Sequence, residues 1–313
     1  MANYLVTGGA GFIGSHIVEE LLKRGEKVRV IDNLLTGKIE NISNFLKKIE
    51  FLEADLRDMD MVQKAVRGVD YILNQAAIPS VPRSIIDPIS SNSANVDGTL
   101  NLLVVAKEAK VRRVVIASSS SVYGDSEVLP KSEDMKTNSL SPYAVTKLVE
   151  ELYGSVFYKI YGLETVSLRY FNVFGPRQDP TSQYSAAIPK FITRMLEGKS
   201  PVIFGNGEQS RDFTYVKNVV NANILAASSP KVGHGEVINI ACGNRITLNE
   251  LVNKINEIIG TNIKPEYTAP RLGDVKHSLA DISRARKLLD YTVEVPFIDG
   301  LKATINWYRS NGN

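Results

Sequence analysis

Tyr143 and Lys147 stand four residues apart in Ser141-Pro142-Tyr143-Ala144-Val145-Thr146-Lys147. Pro142 suits the first turn of a helix. On a helix, positions i and i+4 share a face, so the lysine ammonium can lie beside the phenol. A free tyrosine titrates at about 10 and is a poor base at neutral pH. A neighbouring cation favours the phenolate, which can then exchange a proton with an alcohol. Alone, the spacing describes a surface tyrosine with a solvated lysine equally well. A second run changes the weighing. Val114-Val115-Ile116-Ala117 reads as a buried strand and is followed at once by Ser118-Ser119-Ser120-Ser121. Such a strand delivers several hydroxyls to one edge of a sheet, where a hydroxyl can share the proton of a reacting alcohol with Tyr143. Serines also cap strands with no chemistry attached; the order strand, serines, tyrosine, lysine is what favours a site.

A different chemistry opens the chain. Gly8-Gly9-Ala10-Gly11-Phe12-Ile13-Gly14 follows a short strand, Tyr4–Thr7, and opens a helix that runs to about Arg24. Glycines at that spacing clear side chains from the place where a backbone meets a pyrophosphate at a helix N-terminus. The amides of the first turn, around Phe12 and Ile13, and the helix dipole favour a doubly negative group. A second strand ends in Asp32, followed by Asn33 and, a little further on, Gly37. An acid there accepts both hydroxyls of an adenosine ribose and repels a 2′-phosphate, so the pattern predicts NAD rather than NADP. A bound nicotinamide cation would add to the pull of Lys147 on the phenol.

These groups need a scaffold, and the sequence supplies one. Strand candidates at Tyr4–Thr7, Val28–Ile31, Ile49–Glu53, Tyr71–Leu73, Val114–Ala117 and Thr165–Leu168 alternate with helical stretches at Phe12–Arg24, Met59–Val66, roughly 88–109, and Pro142–Tyr161. That alternation predicts an α/β fold: a doubly wound, Rossmann-type parallel sheet with helices on both faces. Ligands of such sheets sit beyond the carboxyl ends of the strands. The serine run, Ala76–Pro79 and Asn172 all follow strands directly and should converge there. After about residue 170 the alternation stops and turn-rich segments separate shorter elements. Residues 1–170 are therefore expected to form the NAD-binding domain. Residues 171–313 should form mainly a smaller α/β substrate domain, with segments near 211–240 returning to the first.

Composition sets bounds. The chain has 313 residues, 43% hydrophobic and 23% charged, and a formal net charge of +3 with no long basic run. A full core is available, and neither nucleic acid nor a membrane surface is implied. One cysteine, Cys242, excludes an internal disulfide and fits a reducing compartment. His16, His234 and His277 are far apart and give no metal-ligand spacing. No apolar run reaches spanning length, and the first strand starts too early for a leader to precede it. A cytoplasmic enzyme is expected.

With these motifs assembled, the chain resembles the extended short-chain dehydrogenases/reductases, and among them the UDP-glucose/UDP-N-acetylglucosamine 4-epimerase family. The likeness runs end to end. It includes Asp55-Leu56-Arg57-Asp58, Asn74-Gln75-Ala76-Ala77, Asn95-Val96-Asp97-Gly98-Thr99, Leu168 to Pro176, Arg211 to Val216, and Arg271-Leu272-Gly273-Asp274-Val275. The resemblance implies that Gly8, Gly11, Phe12, Ile13, Gly14, Asp32, Asn33, Gly37, Gln75, Ala76, Ala77 and Asn95 hold NAD. It puts Asp55 and Leu56 at the adenine, Lys147 at the nicotinamide ribose, and Tyr170 and Phe171 at the nicotinamide pocket. Tyr143 would be the acid/base, and Ser119 the partner hydroxyl. Asn172, Arg211 and Arg271 would hold the diphosphate of a UDP-sugar. Val202 and Phe204 would border uracil, Asp274 the uridine ribose, and Ser80 and Arg83 the sugar. For the arginines, surface salt bridges are an open alternative; for Tyr170, Phe171 and Phe204, plain core packing is.

Related 4,6-dehydratases place an acid pair after the catalytic hydroxyl, and related decarboxylases a glutamate, where this chain has Ser120 and Ser121. The site is thus expected to do reversible oxidation at one carbon. In the family, Tyr143 would take the C4 hydroxyl proton while NAD takes the hydride; the 4-ketose then turns and receives the hydride on its other face. Ser278 matches the position whose size governs access of a C2 N-acetyl group, which points to UDP-GlcNAc and UDP-GalNAc. Ile78-Pro79 makes a bulkier loop than expected beside the sugar. Arg83 leaves room for a rival, a uronic-acid sugar whose C6 carboxylate it would pair. A reductase releasing NADH and a non-catalytic NAD-binding protein are the readings from other classes. As in many relatives, the helices near 88–109 and 142–161 are expected to pair in a homodimer.

Overall fold

A computed structural model of the chain describes residues 1–181, 187–270 and 276–311. Among these, seven strands form one parallel sheet. Six come in the order expected of a doubly wound fold: β1 (Asn3–Thr7), β2 (Lys27–Asp32) and β3 (Glu50–Glu53) run outward on one side, then β4 (Tyr71–Asn74), β5 (Arg113–Ser119) and β6 (Glu164–Tyr170) on the other. The strand His234–Ile240 adds parallel to β6 at the edge. β1 is hydrogen-bonded to both β2 and β4, so the strand order reverses about it, and a crevice opens at the carboxyl ends of β1 and β4.

Both faces of the sheet are covered, which is why its strands read as continuous apolar runs rather than as alternation. On one face α1 (Phe12–Lys23) packs through Ile17, Val18 and Leu21 with the helix Val216–Ser228. On the other lie α2 (Met59–Val66), α5 (Gly98–Glu108) and α6 (Pro142–Tyr161), joined through Val62, Leu102, Leu103 and Phe157. Two short helices, α3 (Val81–Ile86) and α4 (Pro88–Asn92), bridge β4 to α5, and a π turn at Ser93–Asp97 joins α4 to α5. The helix expected near 88–109 is therefore a chain of three pieces, and α3 was not expected at all. A third core, built from Phe174, Phe191, Leu251, Ile255, Leu301 and Ile305, lies in the later part of the chain. No helix among the described residues is long and apolar enough to cross a membrane.

Local sequence explains where α6 begins and ends. Ser141 accepts the Ala144 amide at 3.2 Å and Pro142 fills the first turn, while Gly162, at φ +71°, stops the helix in the left-handed conformation that glycine tolerates. α6 thus starts at the residue before Tyr143, and that start is fixed a second time: the Tyr143 amide donates to Ser84 Oγ of α3 at 3.0 Å.

Candidate active site

A cavity of about 1160 Å³ opens along the carboxyl ends of the strands. Its walls come from the loop after β1, the ends of β2, β4, β5 and β6, the loop into α3, and the first turns of α6. Twenty residues singled out from the sequence line it: Gly8, Gly11, Phe12, Ile13, Gly14, Asp32, Asn33, Gly37, Asp55, Leu56, Gln75, Ala76, Ala77, Ser80, Arg83, Ser119, Tyr143, Lys147, Tyr170 and Asn172. The loop residues Ile78 and Pro79 line it too.

The turn after β1 is built for close approach. Gly8 has φ +63°, and a Cβ there would stand 2.8 Å from the backbone of Ala76. A Cβ on Gly14 would stand 2.2 Å from the Gly8 carbonyl oxygen. Thr7 Oγ1 accepts the amides of both Gln75 and Ala76 at 3.1 Å, which clamps the end of β4 against that turn. Gly11 begins α1 with no side-chain cap, leaving the first-turn amides of the helix to an anion in the cavity. Asp32, at the tip of β2, accepts the Ala10 amide at 2.9 Å and the Leu34 amide at 2.8 Å. Burial pushes its carboxyl above the usual range and these two bonds oppose the push. A carboxylate has about four acceptor sites, so ribose hydroxyls can still bind it. Asp55, further along, is gripped by Arg57 at 2.8–2.9 Å and by Asn33 at 2.7 Å, which holds it well below the ordinary carboxylate range. Together the narrow turn, the uncapped helix and the acid at the second strand fit a dinucleotide.

Tyr143 and Lys147 occupy one face of α6, and the Ser119 hydroxyl faces the phenol. Burial pushes the phenol above its ordinary value, as does Glu150; Lys147 and Ser119 pull it down. Burial is the largest of these causes and the protein's own groups leave the phenol raised, where the sequence reading expected it lowered. Lys147 is 3% exposed, and its Nζ lies 3.1 Å from the Glu150 carboxylate, itself fully buried. Tyr170 Oη is held by Asn223 at 2.8 Å and Gln75 at 3.2 Å, and burial raises its phenol strongly.

Other expected residues fall off the cavity wall. Asn95 is fully buried behind it: its Oδ1 accepts the Ile78 amide at 2.8 Å and its Nδ2 donates to Thr146 Oγ1 at 3.0 Å. Ser120 and Ser121 turn into a short 3-10 segment, where the Ser121 amide donates to Ser119 Oγ. Val202, Phe204, Arg211 and Ser278 are likewise absent from the wall. Arg211 donates to the carbonyls of Ser210 and Lys276. Ser278 stands next to the wall, 3.4 Å from Asn172 Nδ2. Ser80 Oγ is spent on capping α3, accepting the Arg83 amide at 3.1 Å. Arg271 and Asp274 lie outside the described residues.

Several contributors escaped the sequence reading. Thr99 and Asn223 touch the expected residues only through tertiary packing; Glu150 carries a local signal, its place three residues after Lys147 on α6. Asp212 accepts the amides of Cys242 and Gly243 at 3.0 Å and of Ala280 at 3.2 Å, and burial raises its carboxyl to about 6. Through Asn172, which donates to the Asp212 carbonyl at 3.1 Å, that anchor reaches the cavity.

Comparison with known proteins agrees with this geometry. Residues 4–241 match the NAD dependent epimerase/dehydratase family. A putative UDP-glucose 4-epimerase of Methanocaldococcus jannaschii is 40% identical, with 98% of each chain covered. A UDP-N-acetylglucosamine 4-epimerase from Methanobrevibacter ruminantium, solved with UDP-N-acetylmuramic acid, superposes with a TM-score of 0.95 at 44% identity, over 99% of both chains. A UDP-glucuronic acid 4-epimerase from Bacillus cereus, solved with UDP-glucuronic acid and NAD, gives 0.91 at 34% identity, again over 99% of each. The chain belongs to the NAD dependent epimerase/dehydratase family: it is an extended short-chain dehydrogenase/reductase, an NAD-dependent enzyme grouped with the UDP-sugar 4-epimerases.

Proposed function

We propose that this enzyme inverts C4 of a UDP-sugar, chiefly between UDP-GlcNAc and UDP-GalNAc and secondarily between UDP-Glc and UDP-Gal, with NAD retained and not consumed. The observation that carries this reading is the meeting of Tyr143, Ser119 and Lys147 on one wall of the cavity that also contains the glycine turn and Asp32. Bound NAD supplies the hydride acceptor and donor at C4. Tyr143 moves the C4 hydroxyl proton, Ser119 shares it, and Lys147 stabilises the phenolate. Two serines follow Ser119 where dehydration or decarboxylation would call for carboxylates. Asn172, Arg211 and Arg271 are assigned to the diphosphate, and Val202, Phe204 and Asp274 to the uridine. The small Ser278 beside Asn172 supports an N-acetylated sugar, as does the relative from Methanobrevibacter.

A uronic sugar is the second reading. Arg83 lines the cavity, and a UDP-glucuronic acid 4-epimerase is among the relatives. Incubation with UDP-GlcNAc, UDP-Glc and UDP-GlcA separately, with C4 epimers resolved, decides between them. The first reading expects the fastest inversion on UDP-GlcNAc, the second on UDP-GlcA; no inverted product from any would reject both.

The enzyme is also proposed to be a homodimer. Leu152, Val156 and Ile160 present exposed apolar side chains along α6, and Ile85, Ile86 and Ile89 do so on α3 and α4. A stripe of this kind at helical spacing is suited to pairing with a second copy.

A further inference from the structure

We propose that Glu150 is a positioning residue for the Tyr143–Lys147 pair: its carboxylate fixes the Lys147 ammonium and, as a buried countercharge, sets how far that ammonium acidifies the phenol. The inference rests on the reading of Tyr143 as the acid/base. Lys147 and Glu150 are three residues apart on α6, with Nζ 3.1 Å from each carboxylate oxygen and both side chains sealed from solvent. Glu150 is the carboxylate within salt-bridge distance of that ammonium, and it fixes where the positive charge sits. The adjacent Glu151 is committed elsewhere: it takes a forked pair of bonds from Arg169 at 2.7 and 2.8 Å and one from Ser118 at 2.5 Å. Glu150 Oε1, by contrast, has no aligned hydrogen bond among the described residues. Lys147 Nζ donates to the other oxygen, Oε2, at 3.1 Å, so the carboxylate holds the ammonium by one hydrogen bond as well as by charge.

The same geometry makes the pair adjustable. Lys147 lowers the phenol and Glu150 raises it, so the phenol feels the difference between two opposite charges. The groups that face this assembly are Lys147, Glu150 and Glu151 on α6, with Arg169 behind Glu151 and Tyr170 beside Tyr143 on β6. α5 contributes the Thr99 hydroxyl to Glu150, and β5 the Ser119 hydroxyl to Tyr143. Burial raises the Glu150 carboxyl and Lys147 opposes the rise; while Glu150 is charged, the phenolate is the stronger base.

The test is an ultraviolet difference titration of the Tyr143 phenol in the NAD-loaded enzyme, with Tyr143→Phe as the blank. Glu150→Gln removes the charge at constant shape and should move the titration down by about one pH unit, the size expected of a nearby charge. Glu150→Met, apolar and of similar length, carries the same expectation if the glutamine variant folds poorly. Glu150→Asp keeps the charge and should titrate close to the wild type. The acid limb of the kcat/KM profile should follow the phenol. An unmoved titration in folded, NAD-retaining Gln or Met variants, or a downward shift in the Asp variant, overturns the inference. The titration needs no sugar, so a failure of the epimerase reading, seen as absent product, is separate from a failure of this one.

Discussion

Asn95, in a π turn between two helices, donates to Thr146 Oγ1 at 3.0 Å and accepts the Ile78 amide at 2.8 Å. One buried carboxamide thus ties the cavity-lining loop after β4 to α6, at a point between Tyr143 and Lys147. Both bonds hold the wall in place, which makes the position sensitive to substitution.

Asn95→Leu leaves the Ile78 amide without its acceptor in a buried place. The expected cost is about 1–3 kcal/mol, together with a fall in turnover as the loop and α6 lose their common anchor. Denaturant unfolding and steady-state kinetics on the same preparation check this; an unchanged midpoint and rate would contradict it.

Gly14→Ala puts a methyl 2.2 Å from the Gly8 carbonyl oxygen, and backbone on backbone cannot give way cheaply. The turn must open, and with it the dinucleotide site. The purified variant should carry much less NAD than the wild type, measured after acid release, even where its far-ultraviolet circular dichroism is native. Normal NAD content would show that the glycine turn does not grip the cofactor.

Ser278 is 8% exposed and 3.4 Å from Asn172. Ser278→Tyr should suppress turnover of UDP-GlcNAc far more than that of UDP-Glc, because only the former carries a bulky C2 group. Equal losses on both would reject Ser278 as a gate.

His16, whose Nε2 is bonded to the Pro176 carbonyl at 2.9 Å, has its imidazole pushed down from 6.5 to about 4 by burial, aided by Arg177. With a depressed folded value, its contribution to stability is complete above pH 6.5 and is lost as pH falls through 4. Between pH 7 and pH 5 the wild type should therefore lose on the order of 1 kcal/mol more than His16→Gln does. Thermal unfolding at the two pH values reads the difference directly, and identical losses would remove His16 from the acid response.

The scaffold was legible where local pattern and tertiary environment agree. β1 to β6, α1, α2 and α6 announce themselves because buried parallel strands are continuous apolar runs and capped helices carry their own punctuation; α6 keeps the predicted bounds Pro142–Tyr161. The stretch near 88–109 misled because nothing in its composition marks the π turn at Ser93–Asp97, where Asn95 is turned inward. The strand His234–Ile240 was foreseen only as a return of chain to the sheet, since half its residues are partly exposed and its bonds run to β6. In the site, Gly8, Gly14, Asp32, Ser119, Tyr143 and Lys147 are readable because their spacing is itself the geometry. Asn223 and Asp212 are not, because their partners are set by packing. Val202 and Phe204 form a short strand that does not line the cavity of the glycine turn, and short motifs do not carry such a placement.

The central claim is that the Tyr143 phenol moves the proton of a UDP-sugar hydroxyl while NAD stays bound. Tyr143→Phe tests it most directly, with UDP-GlcNAc as substrate and both C4-inverted product and bound NAD measured on one sample. The account predicts about a 10²–10⁴-fold loss of turnover with NAD retained at the wild-type level. Inversion at the wild-type rate by the phenylalanine variant would contradict it.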